Sequence, residues 1–187
     1  MSLHDDVERV LFSEEQIQEG LQRVAAEIAS FYPEGGFTVV SVLKGSCVFV
    51  ADLIRRVPRP LELAFAAVSS YGAGTESGDL DVVLLPDEGE VEGQRLLLVD
   101  DILDSGRTLT ALSRELLARG AREVRSCVFL DKPSRRAVDF EPDFRCFAVD
   151  DVFVVGYGLD HAGRYRNLPF VGALKPEVMR VNPARPA

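Results

Sequence analysis

The sequence predicts an α/β fold built on a central, mostly parallel sheet flanked by helices. Three observations support this prediction. Short β-branched and leucine-rich runs alternate along the chain with apolar repeats at helical spacing. The run at 38–43 is apolar almost throughout, which is typical of a strand buried on both faces. Residues 95–130 give a strand, a polar turn, a helix and a strand, which is the order of a parallel βαβ unit.

The length and charge of the chain limit what it can be. Its 187 residues suit one domain, 1–187, that buries about 70% of the surface exposed by the unfolded chain. Hydrophobic residues make up 47% of the chain and charged residues 27%, which excludes wholesale disorder. With 30 acidic and 21 basic side chains the formal charge is −9, so we expect neither nucleic acid nor an anionic membrane as a partner.

The cysteines and the N-terminus indicate a cytoplasmic protein. Cys47, Cys127 and Cys146 are an odd number of cysteines in apolar runs, as expected of buried free thiols in a reducing compartment. The first six residues carry no basic segment followed by an apolar stretch, so we expect no signal peptide. No apolar run approaches the length of a membrane-spanning helix.

The elements of the first half follow from caps, periodicity and prolines. Ser13 and Gln16 bound a capping box, and the apolar repeat behind it predicts a helix that ends before Pro33. The next elements are a strand, a helix and a strand, predicted at 38–43, 47–56 and 61–68. Residues 69–93 are rich in glycine and acidic side chains, which predicts a mobile excursion that could include a hairpin. An excursion of this length is commonly functional.

The clearest unit of the second half begins with a strand at 95–99. A polar turn is expected at 100–106, followed by a helix at 108–119 that Gly120 closes. Three further strands are predicted at 124–130, 144–149 and 152–155. The tail, 175–187, holds three of the ten prolines and is expected to be extended.

Polar segments follow four of the predicted strands, where an open parallel sheet binds its ligands. They are 44–46, 69–72, 100–108 and 131–133. Within the third, 104–108 opens a helix whose free amides and dipole can hold a phosphate. Asp100 and Asp101 cannot favour a phosphate, but they suit sugar hydroxyls or a magnesium ion carried by the ligand. Phosphate and polyol contacts side by side indicate a sugar phosphate as the ligand.

Residues 96–108, Leu-Leu-Leu-Val-Asp-Asp-Ile-Leu-Asp-Ser-Gly-Arg-Thr, resemble the phosphoribosyl-pyrophosphate-binding motif of type I phosphoribosyltransferases. Further motifs are similar to the bacterial hypoxanthine (hypoxanthine-guanine) phosphoribosyltransferases, at 42–46, 69–72, 130–136, 153–160 and 164–169. The resemblance runs from about residue 8 to residue 174. It implies a small hood beside the sheet, a flexible lid loop within 69–93 and a cis peptide bond between Leu43 and Lys44.

The resemblance implies a reaction in purine salvage. The phosphoribosyl group of phosphoribosyl pyrophosphate passes to N9 of a 6-oxopurine, which is hypoxanthine and also guanine. The products are IMP or GMP and pyrophosphate. Mg²⁺ is the implied cofactor, and a homodimer or homotetramer is the implied assembly.

The resemblance also implies roles for single residues. Asp104 matches the general base at purine N7, and Lys132 matches the donor to the purine 6-oxygen. The matched binders of phosphoribosyl pyrophosphate are Lys44, Gly45, Asp100, Asp101, Asp104, Ser105, Gly106, Arg107, Thr108 and Arg166. The matched purine binders are Lys132, Phe153, Val154 and Asp160. The first magnesium candidate is Asp160, followed by Asp100 and Asp101. The tip of the lid is matched by Ser70 and Tyr71.

Three alternative functions share parts of these motifs. A nucleotide-sensing, RNA-binding regulator on this fold would keep the phosphoribosyl motif. The charge of −9 and the purine-type segments around Lys132 and Phe153 argue against it. An enzyme for xanthine or guanine alone is compatible with Lys132, because all these bases carry a 6-oxygen. A regulatory subunit resembling phosphoribosyl-pyrophosphate synthetase would need a longer, two-domain chain.

Overall fold

A six-stranded sheet forms the centre of the molecule. The computed structural model describes residues 3–69 and 81–180. In sheet order the strands, numbered along the chain, are β4 (Asp81–Leu84), β3 (Leu61–Ser69), β2 (Phe37–Leu43), β5 (Arg95–Leu103), β6 (Glu123–Asp131) and β7 (Phe144–Ala148). Neighbouring strands pair in parallel except β4, which runs antiparallel to β3. The predicted α/β fold with a mostly parallel sheet is confirmed.

Helices pack on both faces of this sheet. They are α1 (Glu14–Phe31), α2 (Cys47–Ile54), α3 (Glu88–Val91) and α4 (Arg107–Ala118). The short helix α5 (Pro176–Arg180) packs instead in a separate cluster with Leu174. The helices α1 and α2 share one apolar cluster with Val39 and Leu97, whereas α4 shares another with Val40 and Leu98. Successive residues of a strand point to opposite faces, so β2 and β5 each supply both clusters. This explains why their sequences are apolar without alternation.

A second sheet of three antiparallel strands forms the hood. Its strands, in order, are β1 (Val7–Phe12), β9 (Val171–Leu174) and β8 (Val154–Val155). The short strand predicted at 152–155 therefore pairs in the hood, and neither β1 nor β9 was predicted as a strand. The hood joins the two ends of the described chain, because β1 pairs with β9. The buried Tyr165 hydroxyl also donates to Asp6 Oδ2 at 2.7 Å.

The strand β5 is longer than the sequence predicted. A polar turn was expected at 100–106, but β5 continues to Leu103, so the start of the turn was placed four residues too early. Parallel pairing with β6 persists to that end, with Asp100 opposite Val128 and Leu103 opposite Asp131. The acidic residues at 100 and 101 therefore lie on the rigid end of a strand rather than in a turn.

The predicted excursion at 69–93 is described only in part. Residues 70–80 lie outside the described residues, including Ser70 and Tyr71, whose lid role stays a prediction. Beyond them, β4 returns antiparallel along β3, which is the hairpin pairing considered from the sequence. Among residues 3–69 and 81–180, no helix is both long enough and apolar enough to cross a bilayer.

Two smaller predictions were wrong. Cys47 is exposed rather than buried, because α2 begins at this residue and turns Phe49, Val50 and Leu53 inward. The tail is not extended from its start, since Pro176–Arg180 is helical. Proline is favoured in the first turn of a helix, where its missing N–H has no partner to lose. Residues 181–187 lie outside the described part of the chain.

Candidate active site

A cavity of about 400 Å³ opens at the carboxyl ends of β5 and β6, where the sequence predicted a ligand. Its lining residues are Asp101, Ile102, Asp104, Lys132, Arg135, Asp151, Val152, Phe153, Val154, Leu159 and Asp160. The other predicted site residues lie on adjoining segments: Lys44, Gly45, Asp100, Ser105, Gly106, Arg107, Thr108 and Arg166. A concave site with a few convergent polar groups is typical of small-molecule binding.

Asp104 and Lys132 lie next to each other at the carboxyl ends of two paired strands. Each follows the last residue of its strand, and those last residues, Leu103 and Asp131, are paired. The Lys132 N–H also donates to the Leu103 carbonyl at 2.9 Å. The Asp104 carboxylate accepts a hydrogen bond from Arg135 Nε at 3.0 Å, and 42% of its side chain is exposed. An accessible carboxylate therefore lies beside a lysine on neighbouring strand ends.

The Lys132 ammonium is a buried hydrogen-bond donor. The residue is 7% exposed, and Nζ donates to the Val152 carbonyl at 2.7 Å. Burial lowers the pKa of Lys132, while the carboxylates of Asp104 and Asp151 act in the opposite direction. A donor held in this way can select a carbonyl oxygen of a bound ring over an amino group.

Phe153 gives the cavity an aromatic wall. Its side chain is 44% exposed and lines the cavity, and its ring meets the His161 ring edge-on, with centroids 5.3 Å apart. The next residue, Val154, is buried at the start of β8. An accessible aromatic ring beside strand backbone suits a planar heterocycle, which can stack on the ring while the backbone reads its edge.

The turn before α4 leaves backbone N–H groups without a side-chain cap from Gly106. Gly106 caps the helix with φ +83°, and a Cβ there would lie 2.9 Å from Val138 Cγ2, so only glycine fits. Because glycine has no side-chain oxygen, it cannot cap the first N–H groups of the helix itself. Ser105 Oγ accepts from the Arg107 N–H at 3.4 Å, and Thr108 follows in the first turn. Free amides and the helix dipole are the features that suit a turn to bind a phosphate.

A second tight segment adjoins Asp101. The peptide bond between Leu43 and Lys44 is cis, as the resemblance implied. A Cβ on Gly45 would overlap Asp101 Oδ2, and a Cβ on Gly158 would overlap the Gly45 carbonyl oxygen. Side chains are excluded from both positions, which leaves the backbone of this loop close to the acidic end of β5.

Asp100 and Asp101 form a buried acidic pair. Asp100 is 8% exposed, and its Oδ1 accepts the Asp101 N–H at 2.9 Å. Burial, and then the negative charge of Asp101, hold the pKa of Asp100 well above its usual range. Burial also raises the pKa of Asp101, and Arg166 acts in the opposite direction. Two carboxylates with one nearby cation suit sugar hydroxyls or a divalent cation.

Asp160 and Arg166 are joined directly. Arg166 Nη2 lies 2.6 Å from Asp160 Oδ1, and Arg166 Nη1 donates to the Gly158 carbonyl at 2.6 Å. The other oxygen, Asp160 Oδ2, accepts from the Gly163 N–H at 2.7 Å. Asp160 is therefore already engaged on both oxygens, whereas the Asp100–Asp101 pair has more free acceptor capacity.

The donors present fit a magnesium ion that a ligand carries with it. Among residues 3–69 and 81–180, no three histidine, cysteine, aspartate or glutamate side chains gather into a cage. Magnesium bound to a substrate phosphate typically takes only one or two protein carboxylates. Asp100, Asp101 and Asp160 supply carboxylates of that kind.

Sequence reasoning missed Arg135 and Asp151 as parts of the site. Both line the cavity, and Arg135 links the two acids, lying 3.0 Å from Asp104 and 3.6 Å from Asp151. A weak signal was present, since Arg135 follows Lys132 by three residues in a basic segment. Asp151 gave no signal, because it belongs to no recognised motif and only the folded chain brings it to Arg135.

Comparisons with known proteins agree with this geometry. The family model described as Phosphoribosyl transferase domain matches residues 11–162. The hypoxanthine-guanine phosphoribosyltransferase of Bacillus subtilis (strain 168) is 45% identical over 173 residues, 92% of this chain and 96% of that protein. A crystal structure of hypoxanthine phosphoribosyltransferase from Staphylococcus aureus has a TM-score of 0.88 and 39% identity, covering 94% of this chain and 96% of that one.

A longer relative also matches. The bifunctional protein TilS/HprT of Listeria monocytogenes serotype 4b is 45% identical over 177 residues, which are 95% of this chain. The chain spans 27% of the length of that relative. The match therefore concerns one part of the Listeria protein.

The buried pair Asp100 and Asp101 should make the stability of the folded chain depend on pH. The pKa of Asp100 is higher in the folded chain than in the unfolded chain, so the folded state binds more protons and loses stability as pH rises above about 4. We expect Asp100→Asn to raise the melting temperature by about 3 °C at pH 7, an advantage that disappears near pH 3.5. Differential scanning calorimetry across this range measures it. The exposed control Asp139→Asn should change little at either pH, and a less stable Asp100→Asn at pH 7 would contradict the account.

Proposed function

The chain belongs to the phosphoribosyltransferase family, among the hypoxanthine-guanine phosphoribosyltransferases, and on that premise we propose its reaction. It transfers the phosphoribosyl group of phosphoribosyl pyrophosphate to N9 of hypoxanthine or guanine, which yields IMP or GMP and pyrophosphate in purine salvage. One observation carries the proposal. A phosphate-binding turn, a buried lysine donor and an accessible aromatic ring meet at one cavity, at Gly106, Lys132 and Phe153.

The cavity wall supports recognition of a 6-oxopurine. The base stacks on Phe153, and the backbone of Val154 together with Asp160 reads its pyrimidine edge. The Lys132 ammonium donates to the 6-oxygen. Adenine carries an amino group there, which would leave this buried donor without an acceptor.

The adjoining segments support binding of the activated sugar. The amides and hydroxyls of 105–108 hold the 5′-phosphate. Asp100 and Asp101 face the ribose hydroxyls, and Arg166 with the backbone of 44–45 binds the pyrophosphate. Each group lies where its charge suits its partner: free amides and a cation at the phosphates, and carboxylates at the polyol.

Asp104 is the group placed to handle the proton. Its carboxylate lines the cavity beside Lys132 and is partly exposed. It accepts or holds the proton at purine N7 while N9 bonds to the ribose, and its charge favours the positive character that develops on the sugar.

Magnesium is the proposed cofactor. Bound with phosphoribosyl pyrophosphate, it would neutralise the charge of the departing pyrophosphate. Asp100 and Asp101, with Asp160, are the residues that would hold it. Ser70 and Tyr71 keep their predicted role as the tip of a lid that excludes water.

We also propose a cytoplasmic protein that assembles as a homodimer or homotetramer. The three cysteines are free thiols, as expected in a reducing compartment. For the assembly, Leu63 and Phe65 are 39% and 42% exposed on β3. They follow Leu61, which packs against the α1 and α2 cluster on the same face of the strand. A second copy of the chain would cover these side chains.

A base panel tests the reaction. With phosphoribosyl pyrophosphate and magnesium, we expect nucleotide product from hypoxanthine and guanine and none from adenine, measured by chromatography of the products. Excess chelator should abolish turnover, because the pyrophosphate charge is then not neutralised. A folded protein that turns over none of the 6-oxopurines would overturn the proposed function.

The role of Asp104 has its own test. We expect Asp104→Asn to lower kcat with hypoxanthine by about 10²–10⁴, the range of a positioned acid or base, while IMP binding by calorimetry survives. Asp151→Asn is the matched control, because Asp151 is the other acid that Arg135 contacts. Turnover by Asp104→Asn close to that of the unaltered enzyme would remove Asp104 from the proton-transfer role.

The assembly is tested by light scattering after gel filtration. We expect Phe65→Glu to reduce the mass from that of a dimer or tetramer towards 20.5 kDa, because a buried charge would oppose the interface. Leu117→Glu is the control, since Leu117 is 51% exposed on α4, away from β3. A monomeric unaltered protein, or an unchanged mass for Phe65→Glu, would refute this interface.

A further inference from the structure

Arg136 is not part of the cavity lining, yet it binds the segments that carry the site residues. Its guanidinium donates to four backbone carbonyl oxygens, those of Asp104 (2.7 Å), Phe140 (2.9 Å), Leu103 (3.1 Å) and Lys132 (3.4 Å). Only 11% of the side chain is exposed. One buried cation therefore bridges the end of β5, the residue after β6 and a loop beyond it.

A fully buried carboxylate holds this arginine in place. Asp131 is 0% exposed at the end of β6, and one of its oxygens accepts from Arg136 Nη2. The other oxygen accepts from Arg145 Nη1 at 3.0 Å. A buried carboxylate persists only when it is paired and hydrogen-bonded, so Asp131 fixes the guanidinium of Arg136.

The stem of Arg136 supports the phosphate-binding turn. A Cβ built on Gly106 would lie 3.2 Å from Arg136 Cδ, which places the aliphatic part of the arginine against this turn. Arg136 therefore contacts the residue that handles the proton, the residue that reads the base and the turn that binds the 5′-phosphate.

We propose that Arg136 is a positioning residue that fixes Asp104 and Lys132 relative to each other. The inference rests on the proposed function. The Asp104 side chain is partly exposed, so its direction depends on how firmly its backbone is held, and the shortest of the four bonds is to the Asp104 carbonyl. Misplacing a reacting group by about 1 Å can cost about 10²-fold in rate.

A simpler role for Arg136 would be to pair with Asp131 and nothing more. Comparison with Arg145, which also pairs with Asp131, distinguishes this role from the positioning role. Both arginines satisfy Asp131, but Arg145 is 51% exposed. In the described part of the chain, no hydrogen bond joins its side chain to Asp104 or Lys132. Removing either arginine disturbs the buried carboxylate of Asp131. Only removing Arg136 also releases the backbone carbonyls of Asp104 and Lys132.

The experiment compares Arg136→Lys with Arg145→Met in the full chain. We expect Arg136→Lys to lower kcat about 10²-fold while the KM for phosphoribosyl pyrophosphate stays within about threefold, because a lysine keeps the charge but cannot span four carbonyls. Arg145→Met should keep kcat within about threefold. Amide hydrogen exchange of 103–106, measured by mass spectrometry, should be faster in Arg136→Lys alone.

A double variant covers the case in which Arg136→Lys does not fold. Asp131→Asn with Arg136→Gln removes both buried charges together, so no unpaired carboxylate remains, and the same loss of kcat is expected. Equal kcat losses in the Arg136 and Arg145 variants, or wild-type kcat in the Arg136 variants, would overturn the inference. A wild-type chain inactive on every 6-oxopurine would instead overturn the proposed function, and hydrogen exchange at 103–106 would still decide the role of Arg136.

Discussion

The parallel pairing of β5 with β6 is the constraint on which the site depends. It continues to the last residue of each strand, where Leu103 lies opposite Asp131. Asp104 and Lys132 come directly after these residues, so the register alone sets them side by side. In a parallel pair, a shift of one residue would turn every side chain to the other face and separate the two. The apolar residues of β5, buried in both clusters, keep that register.

The site holds two buried carboxylates close together, an arrangement that lowers the stability of the folded chain. Asp100 and Asp101 are buried together, and their raised pKa values show that the folded chain opposes their ionisation. Elsewhere the chain offsets buried charge more fully, as when Asp131 receives two arginines. We therefore propose that a ligand brings hydroxyl groups or positive charge of its own to this under-compensated pair. The proposed sugar, with its magnesium ion, does both.

Local signals predicted well, and long-range pairing did not. The capping box at Ser13 was evident because its partners lie within three residues, and the structure shows the bond from the Gln16 N–H to Ser13 Oγ at 3.3 Å. The strand β1 is partly polar and exposed, and its partner β9 lies over 150 residues away, so no local pattern defined either strand. The roles of Arg135 and Arg136 likewise depend on contacts with the end of β5, which only the folded chain brings close.

The cavity is lined by residues of both sheets, so a base bound there would contact the central sheet and the hood. Lys132 extends the central sheet, whereas Phe153 directly precedes β8 of the hood. The Lys132 ammonium bond to the Val152 carbonyl is a direct link between the two. A second link joins Asp52 of α2 to the Tyr157 hydroxyl at 2.6 Å. The first of these bonds fixes the Lys132 ammonium beside Phe153, the ring that we propose stacks on the base. The hood is already joined to the sheet through the core, because Val154 and Val171 pack in one cluster with Leu97. A purine that contacts both Phe153 and Lys132, as we propose, would add one more contact across this junction.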